Sequence, residues 1–267
     1  MRDALTAETL AKGVAELRER DPHLAAVVER FGPPPLWDRP QGFQTLVQII
    51  LEQQISLSAG RAAYERLMRL AGEVTPERIA GLSLEQLRSA GQTRQKSVYI
   101  HELAQAIVEG RFDADRLAEM DDDEARAALV TLKGIGPWTA DIYLLMALGR
   151  ADVWPGGDLA LVASIREVKR MRTTPDPRRI DRLTRSWRPW RAVAARLLWH
   201  HYLSTPRRRA PINDVKRSAP RRADPSRRPA PTGRPPARRS RTPAPASAGA
   251  ALSKRAARMP RGGRTRD

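Results

Sequence analysis

The sequence predicts an all-α protein, and three observations carry that prediction. No segment alternates apolar and polar residues with period two between turn residues, so no strand is expected. Apolar residues recur three and four apart in about ten runs joined by short breaks, the pattern of packed amphipathic helices. The pattern stops at Pro206: from there to Asp267 the chain holds half of its 22 prolines, no aromatic residue and few large aliphatics. Such a segment cannot bury enough apolar surface to offset the entropy of ordering, so 206–267 is expected to be a disordered basic tail on a helical domain of residues 1–205.

Two short helices are expected first, with Leu10, Val14 and Leu17 on one face and Leu24, Val27 and Val28 on the next. Gly32-Pro33-Pro34-Pro35 ends them. Phe43, Leu46, Val47, Ile50 and Leu51 mark a buried helix that runs out in Glu52, Gln53 and Gln54. Ser58 is placed to cap the following helix, through Ala62, Ala63, Leu67 and Leu70. Thr75-Pro76-Glu77 and Ser83-Leu84-Glu85-Gln86 both read as helix starts, a capping hydroxyl with an acid in the first turn. A helix over 95–109 turns Tyr99, Ile100, Leu103 and Ile107 inward. Asp121-Asp122-Asp123-Glu124 suits the next helix start, where the dipole favours negative charge, and is not read as a metal site. Later helices are expected over 138–148, 161–171 and 180–185, and a last one holds Val193, Ala194, Leu197, Leu198 and Trp199.

The net charge of +18 is concentrated in the tail, which carries 19 of the 48 Lys/Arg and 3 of the 30 Asp/Glu. The remaining 29 basic and 27 acidic residues leave the helical part nearly neutral. Any anionic partner must therefore be met there by local placement of charge, while the arginine pairs of the tail offer phosphate contacts without sequence preference, or act only as a solubilising extension. With no cysteine, disulfides, thiolate zinc sites and Cys-ligated iron–sulfur clusters are excluded. No apolar run approaches membrane-span length, and MRDALTAETLAKG lacks a signal-peptide core, so a cytoplasmic protein is expected.

The stretch LKGIGPWTADIYLLMALGRADVWPGGDLAL, Leu132 to Leu161, suggests chemistry. Gly134 and Gly136 precede a helix start with Pro137 in its first turn, where a missing N–H costs nothing. Glycines there let backbone N–H groups approach a phosphate, and the helix dipole favours the anion. Further on, Asp158 follows Pro155-Gly156-Gly157. Alone it reads as a helix N-cap; beside a phosphate clamp it reads as a carboxylate acting on a nucleic acid, and both roles are compatible.

LKGIGPWTAD resembles the helix-hairpin-helix of DNA glycosylases, and the loop ending in Asp158 resembles the segment that follows it there. ILEQQIS (50–56), AGQTRQKSVYIHELA (90–104) and WRPWRAVAARLLW (187–199) resemble further signature stretches of the alkyladenine branch, the 3-methyladenine DNA glycosylase II group. The resemblance covers roughly 20–203 and omits the tail.

It implies a two-lobed helical fold with the active site in a central cleft. The backbone N–H groups of Gly134 and Gly136 would grip a phosphate of double-stranded DNA, with Thr139 and Lys133 as further contacts. The target nucleotide would flip out of the duplex, and Gln54 would enter the vacated stack. Asp158 matches the essential acid: cleaving an N-glycosidic bond develops positive charge on the sugar, which a carboxylate stabilises while it orients the attacking water. Trp138 stands where bifunctional relatives carry a Schiff-base lysine, which implies hydrolysis without strand cleavage. An indole face also suits a cationic alkylated purine, so Trp138, Trp199 and Tyr143 are the expected pocket aromatics. Such bases leave without prior protonation, consistent with one acid and no cofactor. Trp187, Trp190, His200 and His201 are expected to be structural, Trp154 is undecided, and Gly157 replaces an acid common in relatives. A monomer is expected. The alternative is a helix-hairpin-helix DNA-binding protein without catalysis, from which Asp158 distinguishes this chain.

Overall fold

The computed structural model describes residues 4–205; the expected disordered tail lies outside them. The described residues form twelve α-helices and one 3-10 turn, with no strand among them. Helices α1 (Ala7–Arg20) and α2 (Pro22–Phe31) bury the faces their spacing predicts. Between them Asp21 accepts the His23 and Leu24 N–H groups as an N-cap. Helix α3 (Phe43–Glu52) buries seven of its ten residues and ends at the first residue of its polar run, two short of Gln54. Helix α4 (Leu57–Ala71) is capped by Ser56, not Ser58: Ser56 Oγ accepts the Ala59 N–H at 3.2 Å, and Ser58 Oγ bonds only to Ser56. A cap stands just outside the first turn and accepts an N–H two or three residues on; Ser56 lies there, while Ser58 is already inside the helix.

Thr75 and Ser83 open α5 (Pro76–Ala80) and α6 (Leu84–Ser89) as expected. After them come α7 (Arg94–Val108), the 3-10 turn Asp115–Ala118 and α8 (Asp122–Val130). Asp121 caps α8 through the Asp123 and Glu124 N–H groups, so the acidic run is a helix start. The chain continues through α9 (Pro137–Met146), α10 (Leu159–Val168), α11 (Pro177–Arg185) and α12 (Arg191–Ser204).

These helices pack as two lobes. Helices α1, α2, α10 and α12 pack on one another, so the first and last helices share one lobe. The second is built around α3, against which α4, α7 and α9 pack, with α5 and α6 on α7 and α8 on α9. Arg196 of α12 bridges the lobes with only 1% of its surface exposed. It donates to Leu36 O at 2.6 Å, Leu145 O of α9 at 2.9 Å and Ala192 O at 3.3 Å. Burial pulls its guanidinium down to about 10, against the opposing charge of Asp38. Trp187 is buried with Nε1 donating to Asp21 at 2.8 Å, and Trp190 Nε1 donates to Glu16 at 2.8 Å. The Trp154 ring lies 5.7 Å from that of Trp187. His200 meets the Phe31 carbonyl and His201 meets Ser164 Oγ.

Candidate active site and nucleic-acid interface

The loop between α8 and α9 folds back on the second lobe because Ile135, between the two glycines, is buried as an anchor. Gly134 has φ +87°, and a Cβ there would also overlap the Tyr99 ring, so both backbone and packing require glycine. Gly136 differs: its backbone is extended and exposed, and an added Cβ would meet nothing within 4 Å. It is the N-cap of α9 and supplies no side-chain cap, so the first N–H groups of α9 are left for an outside acceptor.

The other expected contacts of this hairpin fall differently. Thr139 is 4% exposed and its hydroxyl receives Gln53 Nε2 at 3.1 Å, so it serves the interior and does not face a phosphate. Lys133 is exposed and pairs with Glu102 at 2.7 Å. Gln54 is exposed at the turn between α3 and α4, with φ +59°. A non-glycine residue in that region costs roughly 1–3 kcal/mol and persists where its surroundings over-determine it, which happens often at functional positions.

Asp158 is the N-cap of α10, and its Oδ1 accepts the Leu161 N–H at 2.9 Å. Its Oδ2 accepts Trp138 Nε1 at 3.1 Å. Each carboxylate oxygen therefore has one fixed donor, which sets its rotation and leaves the remaining lone pairs for a ligand. Trp138 is the second residue of α9 and half-buried, so this bond joins the hairpin helix of one lobe to α10 of the other.

The two other predicted aromatics are more deeply buried. Tyr143 is fully buried, and its hydroxyl receives the Gly42 N–H at 2.8 Å; burial raises its pKa. Five residues along a helix turn the side chain about 140° from Trp138, which removes Tyr143 from the cleft. Trp199 is 9% exposed on α12, too little for a free ring face.

One residue of this site was missed in the sequence. Asp141, 6% exposed, accepts Arg126 Nε at 2.7 Å and the Gly156 N–H, which anchors the loop leading to Asp158. Burial raises its carboxyl above the ordinary value, with Arg126 opposing. An acid inside the apolar run of α9 was itself a signal, because a buried carboxylate needs partners. A polar hollow lined by Asp181, Thr184, Arg185, Arg188 and Arg191 lies elsewhere, with Arg188 and Arg191 both paired to Asp152. Among the described residues no cluster suited to a metal ion is found.

The family model for HhH-GPD superfamily base excision DNA repair proteins matches residues 47–189. DNA-3-methyladenine glycosylase of Bacillus subtilis is 28% identical over 196 residues, covering 69% of this chain and 65% of its own. The chain thus spans just under two thirds of that relative. A solved DNA-3-methyladenine glycosidase from Bacillus halodurans is 30% identical with TM-score 0.62, over 76% of this chain and 94% of its own. A 3-methyladenine DNA glycosylase of Schizosaccharomyces pombe, solved with abasic DNA, is 25% identical with TM-score 0.62, over 72% and 95%. The family model spans more than half of the chain, and the helical frame agrees with the solved structures: the chain belongs to the HhH-GPD superfamily of base excision DNA repair proteins.

Proposed function

We propose that this protein is a monofunctional DNA glycosylase that flips alkylated purines, of the 3-methyladenine and 7-methylguanine type, out of duplex DNA and hydrolyses their N-glycosidic bond. The observation that carries the reading is the 3.1 Å bond between Trp138 Nε1 and Asp158 Oδ2, beside the open N-terminus of α9. It puts an aromatic surface and an oriented carboxylate at one point, a few residues from a phosphate grip. The names of the Bacillus and Schizosaccharomyces relatives support the substrate class.

In this mechanism the Gly136 N–H and the first N–H groups of α9 hold a backbone phosphate, which positions the enzyme without reading sequence. Gln54 fills the stack that the flipped nucleotide leaves. The half-exposed Trp138 ring receives the cationic base by stacking, an attraction of roughly 0.5–2 kcal/mol. Asp158, fixed by Trp138 and Leu161, faces the positive charge that develops at C1′ and orients or deprotonates the attacking water. The cationic base takes up the electron pair of the breaking bond and leaves neutral, so no second acid is needed to protonate it. Trp138 cannot form a Schiff base, hence no strand cleavage follows. Gly136, Gln54, Trp138 and Asp158 come from one chain, so a monomer suffices.

The test is base release from methylated duplex DNA with products identified and borohydride added in parallel. Free methylated purines without a trapped enzyme–DNA adduct are expected. A trapped adduct would replace hydrolysis alone with a lyase mechanism; DNA binding without any released base would favour a non-catalytic binding protein.

A further inference from the structure

The turn that carries Gln54 is held from several directions by side chains the chemistry itself does not use. From α7, the half-buried Lys96 donates to Leu51 O at 2.6 Å and to Gln53 O at 2.9 Å. These are among the carbonyls that the end of α3 would otherwise leave open. Burial lowers the Lys96 pKa from its ordinary value.

Gln53, whose carbonyl Lys96 holds, reaches the other way with its side chain. Its Nε2 donates to Gly134 O at 2.9 Å and to Thr139 Oγ1 at 3.1 Å. One residue therefore connects the turn to the first hairpin glycine and to the first turn of α9. Behind it, Arg39 holds both oxygens of Glu52 at 2.9 and 3.2 Å. Gly60 of α4 packs so closely that a Cβ would fall 2.6 Å from Glu52 Cγ. Gln54, exposed with φ +59°, is the projecting point of an otherwise fixed turn.

We propose that Lys96 and Gln53 are positioning residues that lock the Gln54 turn and the Gly134–Gly136 hairpin into one unit, so that phosphate capture sets Gln54 at the base stack. This rests on the reading above of the hairpin as phosphate grip and Gln54 as the inserted residue. The physical ground is preorganisation. A side chain entering a stack at a fixed offset from a bound phosphate is effective only if that offset is set in the free protein; otherwise ordering the turn subtracts from binding.

The test reads insertion separately from base release: 2-aminopurine placed opposite an abasic-site analogue in duplex DNA brightens when the neighbouring stack is opened. Lys96→Met and Gln53→Leu should each lower the amplitude or rate of that signal about 10-fold in folded protein. The double variant should be no worse than the weaker single one, because both act through one turn. Lys96→Arg, which keeps a cation able to donate to two carbonyls, should recover most of the response. Base release from methylated duplex should fall in parallel.

A wild-type signal in both variants overturns the proposal, even where melting temperature drops, since that is a purely structural role. A salt-dependence slope lowered by about one in Lys96→Met also overturns it, because Lys96 would then be a phosphate contact. Should Lys96→Met not fold, Gln53→Leu decides alone, as it removes the cross-link and leaves the α3 carbonyls bonded. If the unaltered enzyme releases no methylated base while the variants still lose the fluorescence response, the glycosylase reading fails and the lock stands.

Discussion

Trp138 Nε1 donates to Asp158 Oδ2 at 3.1 Å across the line where the two lobes meet. The bond ties the first turn of α9, next to the hairpin glycines, to the cap of α10. In the mechanism proposed above, one indole orients the acid with its edge and offers its face to the base.

It also separates the two roles experimentally. Trp138→Phe keeps an aromatic face and removes the donor. A hydrogen bond to a charged acceptor contributes about 1.5–3 kcal/mol, so single-turnover base release should slow roughly 10- to 100-fold with little change in DNA affinity. Trp138→Ala should lose base stacking as well and fall further. Equal rates for the two variants would show that the ring face takes no part.

The hairpin glycines should differ in kind. Gly134→Ala meets both a left-handed φ and the Tyr99 ring, and should cost roughly 2–4 kcal/mol in denaturant unfolding. Gly136→Ala enters open space and should change stability by under about 0.5 kcal/mol. Its new methyl would nevertheless stand beside the N–H groups offered to a phosphate, so DNA affinity should drop. Unchanged affinity in Gly136→Ala would remove the phosphate from that position.

Much of the fold is legible in the sequence, and what is not has physical causes. The glycine–proline start of α9 and the Asp121 cap depend on local chain chemistry, which residue type encodes directly. Tyr143, five residues on and about 140° round the helix, turns into the core, while Asp141, three residues on and about 60° round, shares the Trp138 side. Thr139 and Gln53 satisfy one another, a pairing between distant segments that spacing cannot reveal. Arg196 sits within an apolar helix and so had to be buried with partners, but its acceptors are carbonyls, which carry no residue signature.

Acid stability should depend on Asp21. Burial alone would raise its carboxyl, but the Lys169 ion pair, the Trp187 indole and the Leu24 N–H together hold it below 3.8. The unfolded chain then takes up the proton first, so the stabilisation is present above pH 3.8 and is lost as pH falls through the lower folded value. Asp21→Asn should cost roughly 3 kcal/mol at neutral pH, by leaving Lys169 unpaired, and should flatten the acid limb of the stability curve. An acid limb as steep as that of the natural protein would assign it to other carboxylates.

Truncation after Thr205 removes 19 Lys/Arg. It should weaken nonspecific DNA binding and lower the salt-dependence slope while base release persists. An unchanged slope would mean the tail does not touch DNA.

In the proposed mechanism Asp158 performs chemistry in addition to capping α10. Asp158→Asn keeps the cap acceptor for Leu161 and removes the negative charge. The decisive measurement is single-turnover release of methylated purines by this variant, made beside its affinity for the same duplex. DNA binding close to that of the natural protein is expected, with base release slowed by about three orders of magnitude or more. Base release at the natural rate would contradict it, and Asp158 would then be a helix cap alone.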